Sequence, residues 1–254
     1  MRRYYLAERL KNRHTYIEKL IIFMPLITVC LAARLTADYF TIDSYNWWYI
    51  ALFPGMLTLI GAALGNRDKK MGNRAIWALP ADMGAVWDGK VLYGIRCMGI
   101  ALSVFLAAVL CIGAGLEQIL QRTFVIDVPV GRHILAVVVL FITSLWQIPL
   151  CLLIQQIFGT FPMVLLHMGS YIVLGAELSL RPYFMVLPGG ITSRLMCIIL
   201  KILPNGLAAE SGSITFTPGL LEWKGFWPGV LSSLLWFLGL WAAGRRWFER
   251  QVER

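Results

Sequence analysis

Long apolar runs separated by short polar segments make up most of this 254-residue sequence. A helix needs about 20 mostly apolar residues to cross the hydrocarbon core of a bilayer. Six runs approach or exceed that length, and they predict six spanning helices. The predicted spans are residues 20–35, 47–64, 91–116, 133–158, 161–178 and 226–243. Pro149 predicts a kink inside the fourth span.

Two further segments do not fit simple connecting loops. Residues 1–19 interleave tyrosines and leucines with charges, which predicts an amphipathic helix lying in the membrane interface. Residues 179–225 form a long segment that is only weakly polar. Its apolar part, residues 191–203, is interrupted by Arg194 and Lys201 and is too short to span, which is typical of re-entrant or interfacial chain. The pattern therefore predicts an all-α, single-domain polytopic membrane protein.

Composition excludes several other classes. Hydrophobic residues make up 58% of the chain and charged residues 15%, whereas soluble domains have about 45–50% and about 25%. A disordered protein, a disulfide scaffold and an ordinary soluble enzyme are excluded on this ground. None of the five cysteines forms a C-x-x-C pair, and four lie in apolar runs, so they are interpreted as small core residues.

The positions of the basic residues along the chain are more informative than the net charge of +9. On a soluble protein it would indicate nucleic-acid binding, but here fifteen of the basic residues precede the first span, lie between the second and third, or follow the sixth. Only six lie in the loops on the other side. The positive-inside rule then predicts that both termini are cytoplasmic.

One string resembles a phosphate-binding loop. Residues 84–91 match G-x-x-x-x-G-K, but Val91 stands where Ser or Thr would bind magnesium, and no strand precedes the string. No catalytic motif, metal-ligand spacing or pair of carboxylates within one span occurs either. The sequence therefore predicts no enzyme activity, bound cofactor or metal in this chain.

The segment between the second and third spans, residues 66–90, is basic at first and then partly apolar. Its apolar residues Leu79, Met83, Val86 and Trp87 repeat at steps of three and four, with Asp82 and Asp88 beside them. This predicts a short amphipathic cytoplasmic helix. Pattern alone leaves two interpretations open: the helix docks onto a soluble partner, or it lies on lipid headgroups.

Polar residues inside spans are costly and are candidates for function. Arg34 and Arg96 lie near span ends, where long side chains reach the interface. His167 lies well inside the fifth span, where it either contacts a transport pathway or bonds to a neighbouring helix. The remaining candidates are Glu177 near the outer end of the fifth span and Gln147, Gln155 and Gln156 in the fourth.

The predicted architecture resembles the transmembrane subunit of an ABC-2-type exporter. Several stretches are similar to lantibiotic-immunity ABC transporter permeases of the MutE/EpiE type. They are residues 14–20 (HTYIEKL), 45–49 (YNWWY), 52–56 (LFPGM), 68–76, 79–80, 145–150 (LWQIPL) and 202–206 (ILPNG). This resemblance covers nearly the whole chain except the first ten residues.

The resemblance implies a permease that pairs with a separate ABC ATPase subunit, which binds ATP and Mg²⁺, and with a second related permease. Together they would expel a lantibiotic peptide from the cell membrane of a Gram-positive producer. Coupling to the ATPase would involve Leu79, Pro80, Asp82, Met83, Val86, Trp87 and Asp88. The residues expected to face a cationic peptide or its pathway are Asp38, Asp43, His167, Glu177 and Glu210.

Two alternatives stay open at this stage. The same permease architecture would also suit export of another amphipathic drug or a lipid. A non-transporting membrane scaffold that recruits a soluble partner would share the apolar spans and the basic cytoplasmic segments. Neither alternative involves nucleic acid.

Overall fold

The computed structural model describes residues 1–69 and 81–251, and regular structure within these ranges is helical. The one extended pairing among the described residues is an isolated antiparallel bridge between Ile202 and Ala208. The helices are α1 (Arg2–Lys11), α2 (Tyr16–Leu35), α3 (Phe40–Trp47), α4 (Phe53–Lys69), α5 (Met83–Gln118), α6 (Val130–Ser144), α7 (Gln147–Phe158), α8 (Thr160–Ser179), α9 (Pro188–Leu200) and α10 (Phe226–Arg250). The predicted all-α class is confirmed.

Six helical stretches of the described chain are long and apolar enough to cross a membrane, as predicted. They are Tyr16–Leu35, Ala37–Asp68, Met83–Gln118, Val130–Phe158, Thr160–Ser179 and Trp223–Arg250. Each one contains the predicted apolar run and extends it by at most ten residues at either end. The extensions occur because helix continues through flanking polar residues that hydropathy alone assigns to loops.

The N-terminal segment is divided where the sequence predicts one interfacial helix over residues 1–19. Helix α1 ends at Lys11, and α2 begins at Tyr16 with Thr15 as its cap, since the Thr15 hydroxyl accepts from the Ile17 N–H at 3.3 Å. Residues 16–19 therefore belong to the first spanning helix.

Two of the spanning stretches are interrupted at prolines. A π-helical turn over Trp48–Leu52 joins α3 to α4 just before Pro54, which cannot donate a backbone hydrogen bond. In the fourth span, α6 ends at Ser144 and α7 begins at Gln147. Pro149 lies four residues beyond Leu145 and leaves its carbonyl without the helical partner, so the predicted kink is a break over residues 145–146.

Helix α9 lies inside the bundle rather than on its surface. Eleven of its thirteen residues are buried, and it packs against α6, α8 and α10. Pro188 begins it, and Lys201 ends it in the left-handed region at φ 58°. Residues 201–225, which follow α9, contain short turns and a small apolar cluster around Leu203 and Leu220.

Contacts between helix ends define two ends of the bundle. At one, here called the α1 end, the start of α5 meets α1 and the last turns of α10, and the end of α4 meets α7 and α8. At the opposite end, Asn46 donates to the carbonyl oxygens of Leu203 and Pro204 at 3.4 and 3.2 Å, and Tyr45 bonds to His133 at 2.9 Å. One hydrophobic core connects the two ends.

Candidate functional site

A buried charge cluster joins three helices at the α1 end. Helix α1 contributes Glu8 and Lys11, α4 contributes Asp68, and α5 contributes Lys90. Lys11 Nζ lies 2.8 Å from Glu8 Oε1 and 3.2 Å from Asp68 Oδ1, and Lys90 Nζ lies 3.3 Å from Glu8 Oε1 and makes a short ion pair with Asp68. Lys90 also donates to the Leu64 carbonyl oxygen at 3.1 Å.

Burial makes this cluster energetically demanding. The Lys90 side chain is 1% exposed and that of Glu8 is 4% exposed. A buried ammonium group is stable only when it is paired and hydrogen-bonded, and removing one partner from such a pair costs about 3–5 kcal/mol. Two carboxylates balance two ammonium groups here, so the cluster as a whole is neutral, and α1 is held to α4 and α5 by charge as well as by packing.

Lys11 is the solvent-facing member of the cluster. Burial by itself would lower its pKa, but the charges and hydrogen bonds of Glu8 and Asp68 outweigh that effect and raise the pKa above its ordinary value. The folded state therefore stabilises the ammonium form of Lys11.

A second polar contact at this end joins α5 to α10. The Trp241 indole N–H donates to Asp88 Oδ1 at 2.7 Å, and Arg245 lies 3.5 Å from Asp88 Oδ2 and 3.1 Å from Glu249 Oε1. On the residue before Asp88, the Trp87 ring lies 6.0 Å from that of Phe248. Asp88 thus bonds within the chain, and its carboxylate is buried.

The predicted short coupling helix is not a separate element, because its residues from Met83 onward belong to α5. Leu79 and Pro80 lie outside the described residues. Asp82 is exposed and caps α5, because its carboxylate accepts from the Ala85 N–H at 3.2 Å. The residues after it form the first turns of the 36-residue helix α5 instead of a separate short helix. Met83, Val86 and Trp87 are buried against this chain, so they present no open docking face.

A third network connects α4 to α7 and α8. Gln155 Nε2 donates to Asn66 Oδ1 at 2.9 Å, and the Asn66 amide donates to the Thr160 hydroxyl at 2.8 Å. Gln156 donates to the Gly65 carbonyl oxygen at 3.4 Å. These two glutamines, predicted as polar candidates in the fourth span, therefore join helices at the α1 end.

The five residues predicted to face a substrate do not form one site. Asp38 is exposed and lies 3.5 Å from Arg122, and Glu177 is exposed and paired with Arg181. Asp43 is half-buried in α3, and Glu210 is exposed in the segment after α9. His167 is buried in the middle of α8, with Nδ1 2.7 Å from the Thr58 hydroxyl. No hydrogen bond or ion pair found among the described residues joins any two of the five.

Sequence reasoning missed Glu8, Asp68 and Lys90 as a group. The only local signal was Lys90 itself, a lysine directly before a long apolar run, and its pairing partners are 22 and 82 residues away. Within the described ranges, no group of three or more His, Cys, Asp or Glu side chains could hold a metal ion. Comparisons with protein-family models, with curated proteins and with solved structures identify no match to this chain.

Proposed function

We propose that this chain is the permease subunit of an ATP-driven ABC exporter, with the ATPase on a separate chain and a lantibiotic peptide as substrate. The sequence resemblance suggests the family and the substrate. The structural observation that carries the proposal is the buried charge cluster of Glu8, Lys11, Asp68 and Lys90, which fixes a peripheral helix to the ends of two spanning helices.

The buried charge cluster would allow α1 to transmit force to the spanning helices. A motor subunit bound at the cytoplasmic face would press on α1, most of whose side chains are exposed. Because ion pairs hold α1 to both α4 and α5, a displacement of α1 would move those helices together. The fifteen basic residues assigned by sequence to one side support placing the α1 end in the cytoplasm.

Burial of Val86 and Trp87 changes where the ATPase would dock. In this proposal those residues hold α5 to α10, and the surface that meets the ATPase includes the exposed side of α1 together with Asp82. The exposed residues of α1 combine basic and apolar side chains: Arg2, Arg3, Leu6, Arg9 and Leu10. Such a surface fits a partner that offers carboxylates around an apolar groove.

Helix α9 supports the ABC-2-type arrangement of a re-entrant segment between the last two spans. The chain just before α9 lies beside α10 two turns into the bundle, since Ser232 donates to the Met185 carbonyl oxygen at 2.6 Å and Trp236 to that of Val186 at 3.0 Å. At 13 residues, α9 is about 20 Å long and too short to cross the bilayer. In the proposal it returns to the outer face, where residues 201–225 contact the substrate side.

The decisive experiment distinguishes two possible roles of the cluster: coupling ATP hydrolysis to export, and assembly of the permease with the ATPase. The chain is co-expressed with its ATPase subunit in a nisin-sensitive host, and Glu8→Gln is compared with wild type for ATPase co-purification and nisin tolerance. The exposed Glu117→Gln, near the end of α5, is the matched control. We expect Glu8→Gln to retain the ATPase and lose most of the tolerance, because the glutamine keeps the shape but removes the charge that holds Lys90.

Lys90→Arg and Lys90→Met extend the test. Arginine keeps the charge and should retain part of the tolerance, whereas methionine should remove it. Unchanged tolerance in membrane-inserted Glu8→Gln and Lys90→Met would contradict a coupling role for the cluster. If the complex hydrolyses ATP in membranes but confers no tolerance to nisin, the exporter has another substrate class, such as a lipid or an amphipathic drug.

A further inference from the structure

A shallow apolar groove runs along one face of α2. Its volume is about 480 Å³, and Leu52, at the end of the π-helical turn, closes part of its side. The α2 side chains that form its floor include Phe23, Ile27 and Leu31, which are 57%, 55% and 43% exposed. Such exposure of large apolar side chains is suited to contact with hydrocarbon rather than water. We refer to this feature as the α2 groove.

The length and lining of the α2 groove fit a single hydrocarbon chain. Leu31 follows Lys19 by twelve residues, which corresponds to about 18 Å of α-helix, and one leaflet of the hydrocarbon core is about 15 Å thick. Thr28 is the polar side chain between these ends, and its hydroxyl donates to the Met24 carbonyl oxygen at 2.8 Å. The wall therefore offers no unpaired side-chain hydrogen-bonding group along this length.

Two cations lie at the end of the α2 groove that is nearest the α1 end. Lys19 lines the groove itself and is exposed. Tyr16 also lines it, and its hydroxyl donates to the Leu59 carbonyl oxygen of α4 at 3.3 Å. Arg67, further along α4, is exposed and interacts electrostatically with Tyr16. Neither Lys19 nor Arg67 forms an ion pair with a carboxylate in the part of the chain that the structure describes.

The acid next to Lys19 in the sequence does not neutralise this end. At about 100° per residue, Glu18 lies on the side of α2 opposite Ile27 and therefore opposite the α2 groove. Its carboxylate accepts from the His14 N–H at 3.1 Å and interacts electrostatically with Tyr93 of α5. The charge at the end of the groove is therefore positive, and it lies where an apolar wall begins.

We propose that the α2 groove is a binding site for one anionic phospholipid. An acyl chain lies along Phe23, Ile27 and Leu31, and the phosphate lies beside Lys19 and Arg67. Basic residues at the membrane surface attract anionic headgroups, which is the charge complementarity that this end of the groove offers. A zwitterionic phospholipid fits the apolar wall equally well, but its own ammonium group offsets the charge of its phosphate. A helix of another protein would cover the wall and leave both cations unpaired unless it also brought carboxylates.

The first test places a reporter at the deep end of the α2 groove. Leu31→Cys is labelled with a fluorescent maleimide in a chain whose five native cysteines are replaced by alanine. The chain is inserted into phosphatidylcholine nanodiscs that contain a small fraction of lipid with a nitroxide on its acyl chain, either phosphatidylglycerol or phosphatidylcholine. We expect quenching that corresponds to about tenfold tighter binding of the phosphatidylglycerol, because two basic residues attract its headgroup. The control label at Leu235→Cys, on an exposed position of α10, should be quenched equally by the two lipids.

Substitution of the two cations tests the cause of this preference. With Lys19→Gln and Arg67→Gln together, the preference at Leu31 should fall to about twofold or less. Arg246→Gln removes an exposed cation of α10 and should leave it unchanged. Equal quenching by both lipids at Leu31 in wild type is the result for a groove that another protein helix covers or that any lipid fills, and it would overturn the proposal. A preference that survives in the double variant, or that Arg246→Gln removes equally, would also overturn it.

The second test uses stability and distinguishes a lipid from a free phosphate. In detergent, we expect added phosphatidylglycerol to raise the midpoint of thermal unfolding of wild type by about 2–4 °C more than phosphatidylcholine does. Lys19→Gln with Arg67→Gln should respond equally to the two lipids and match wild type in phosphatidylcholine, since both side chains are exposed. Glycerol phosphate, which lacks acyl chains, should not raise the midpoint. A rise with glycerol phosphate as large as that with phosphatidylglycerol would show a phosphate site and would contradict a lipid site.

This inference does not depend on the exporter proposal. It requires only that the apolar helices lie in a bilayer, and both tests use the chain without an ATPase or nisin. A chain that selects the anionic lipid but confers no nisin tolerance keeps this inference and contradicts the exporter proposal. A chain that confers tolerance without selecting the anionic lipid does the reverse.

Discussion

At the scale of single residues, the most demanding environment is that of Lys90. Its ammonium group is buried between the carboxylates of Glu8 and Asp68 and the Leu64 carbonyl oxygen. An ammonium group in such a place has lost its hydration and depends on every one of these oxygen atoms. Lys11 completes the cluster from the solvent side, so it is the member whose titration can be followed.

Lys11 should make the stabilising contact between α1 and α4 depend on pH at high pH. Its pKa is raised in the folded state, so its contribution to stability is complete below its ordinary pKa of 10.5 and is lost as the pH rises through the folded value. We expect the stability difference between wild type and Lys11→Met to be constant from pH 7 to about 9 and to shrink above about 10.5. Denaturant unfolding of the purified chain measures it, and an unchanged difference at pH 11 would contradict the assignment.

The sequence could not have predicted this cluster, although it predicted all six of the span-length apolar helices in the described chain. Hydropathy indicates where a helix crosses, because the apolar stretch is local in sequence. Ion pairing between Glu8 and Lys90 depends on how α1 folds back across α5, and no local pattern encodes that. The same applies to Trp87, whose apolar spacing indicated an exposed amphipathic face while the structure buries it under α10.

At the scale of elements, Gly244 lets α10 approach the Trp87 ring of α5 closely. A Cβ atom at Gly244 would overlap the Trp87 ring, whereas at Gly239, in the same helix, it would meet nothing within 4 Å. The glycine therefore lets the Asp88–Trp241 bond form beside a close contact between the helices. The break at residues 145–146 and the π-helical turn before Pro54 have another effect on the fold. They interrupt helices that would otherwise be straight.

Gly244→Ala and Gly239→Ala make a matched pair for this contact. We expect Gly244→Ala to destabilise the chain by about 1–3 kcal/mol through overpacking. Gly239→Ala should stabilise it slightly, by up to about 1 kcal/mol, because alanine favours helix. Thermal unfolding of both variants in the same detergent measures the difference, and equal effects of the two substitutions would show that α10 does not approach Trp87 closely.

At the scale of the whole molecule, the two ends differ in how they place charged side chains. The α1 end contains the ion-paired cluster of Glu8, Lys11, Asp68 and Lys90, whereas the opposite end exposes acids such as Asp38 and Glu210. The proposed coupling through the α1 end requires that this end be cytoplasmic.

That orientation is tested by single cysteines placed at the two ends, in a chain whose five native cysteines are replaced by alanine. Asn205 is exposed in the segment after α9 and Ala7 is exposed on α1. We expect Asn205→Cys to react with a membrane-impermeant maleimide in intact cells and Ala7→Cys to react only after lysis. The reverse pattern would place the α1 end outside, away from any ATPase, and would remove the basis for coupling through Lys90. Labelling of both cysteines in intact cells, with a cytoplasmic marker protected, would contradict a bundle that crosses the membrane from one end to the other.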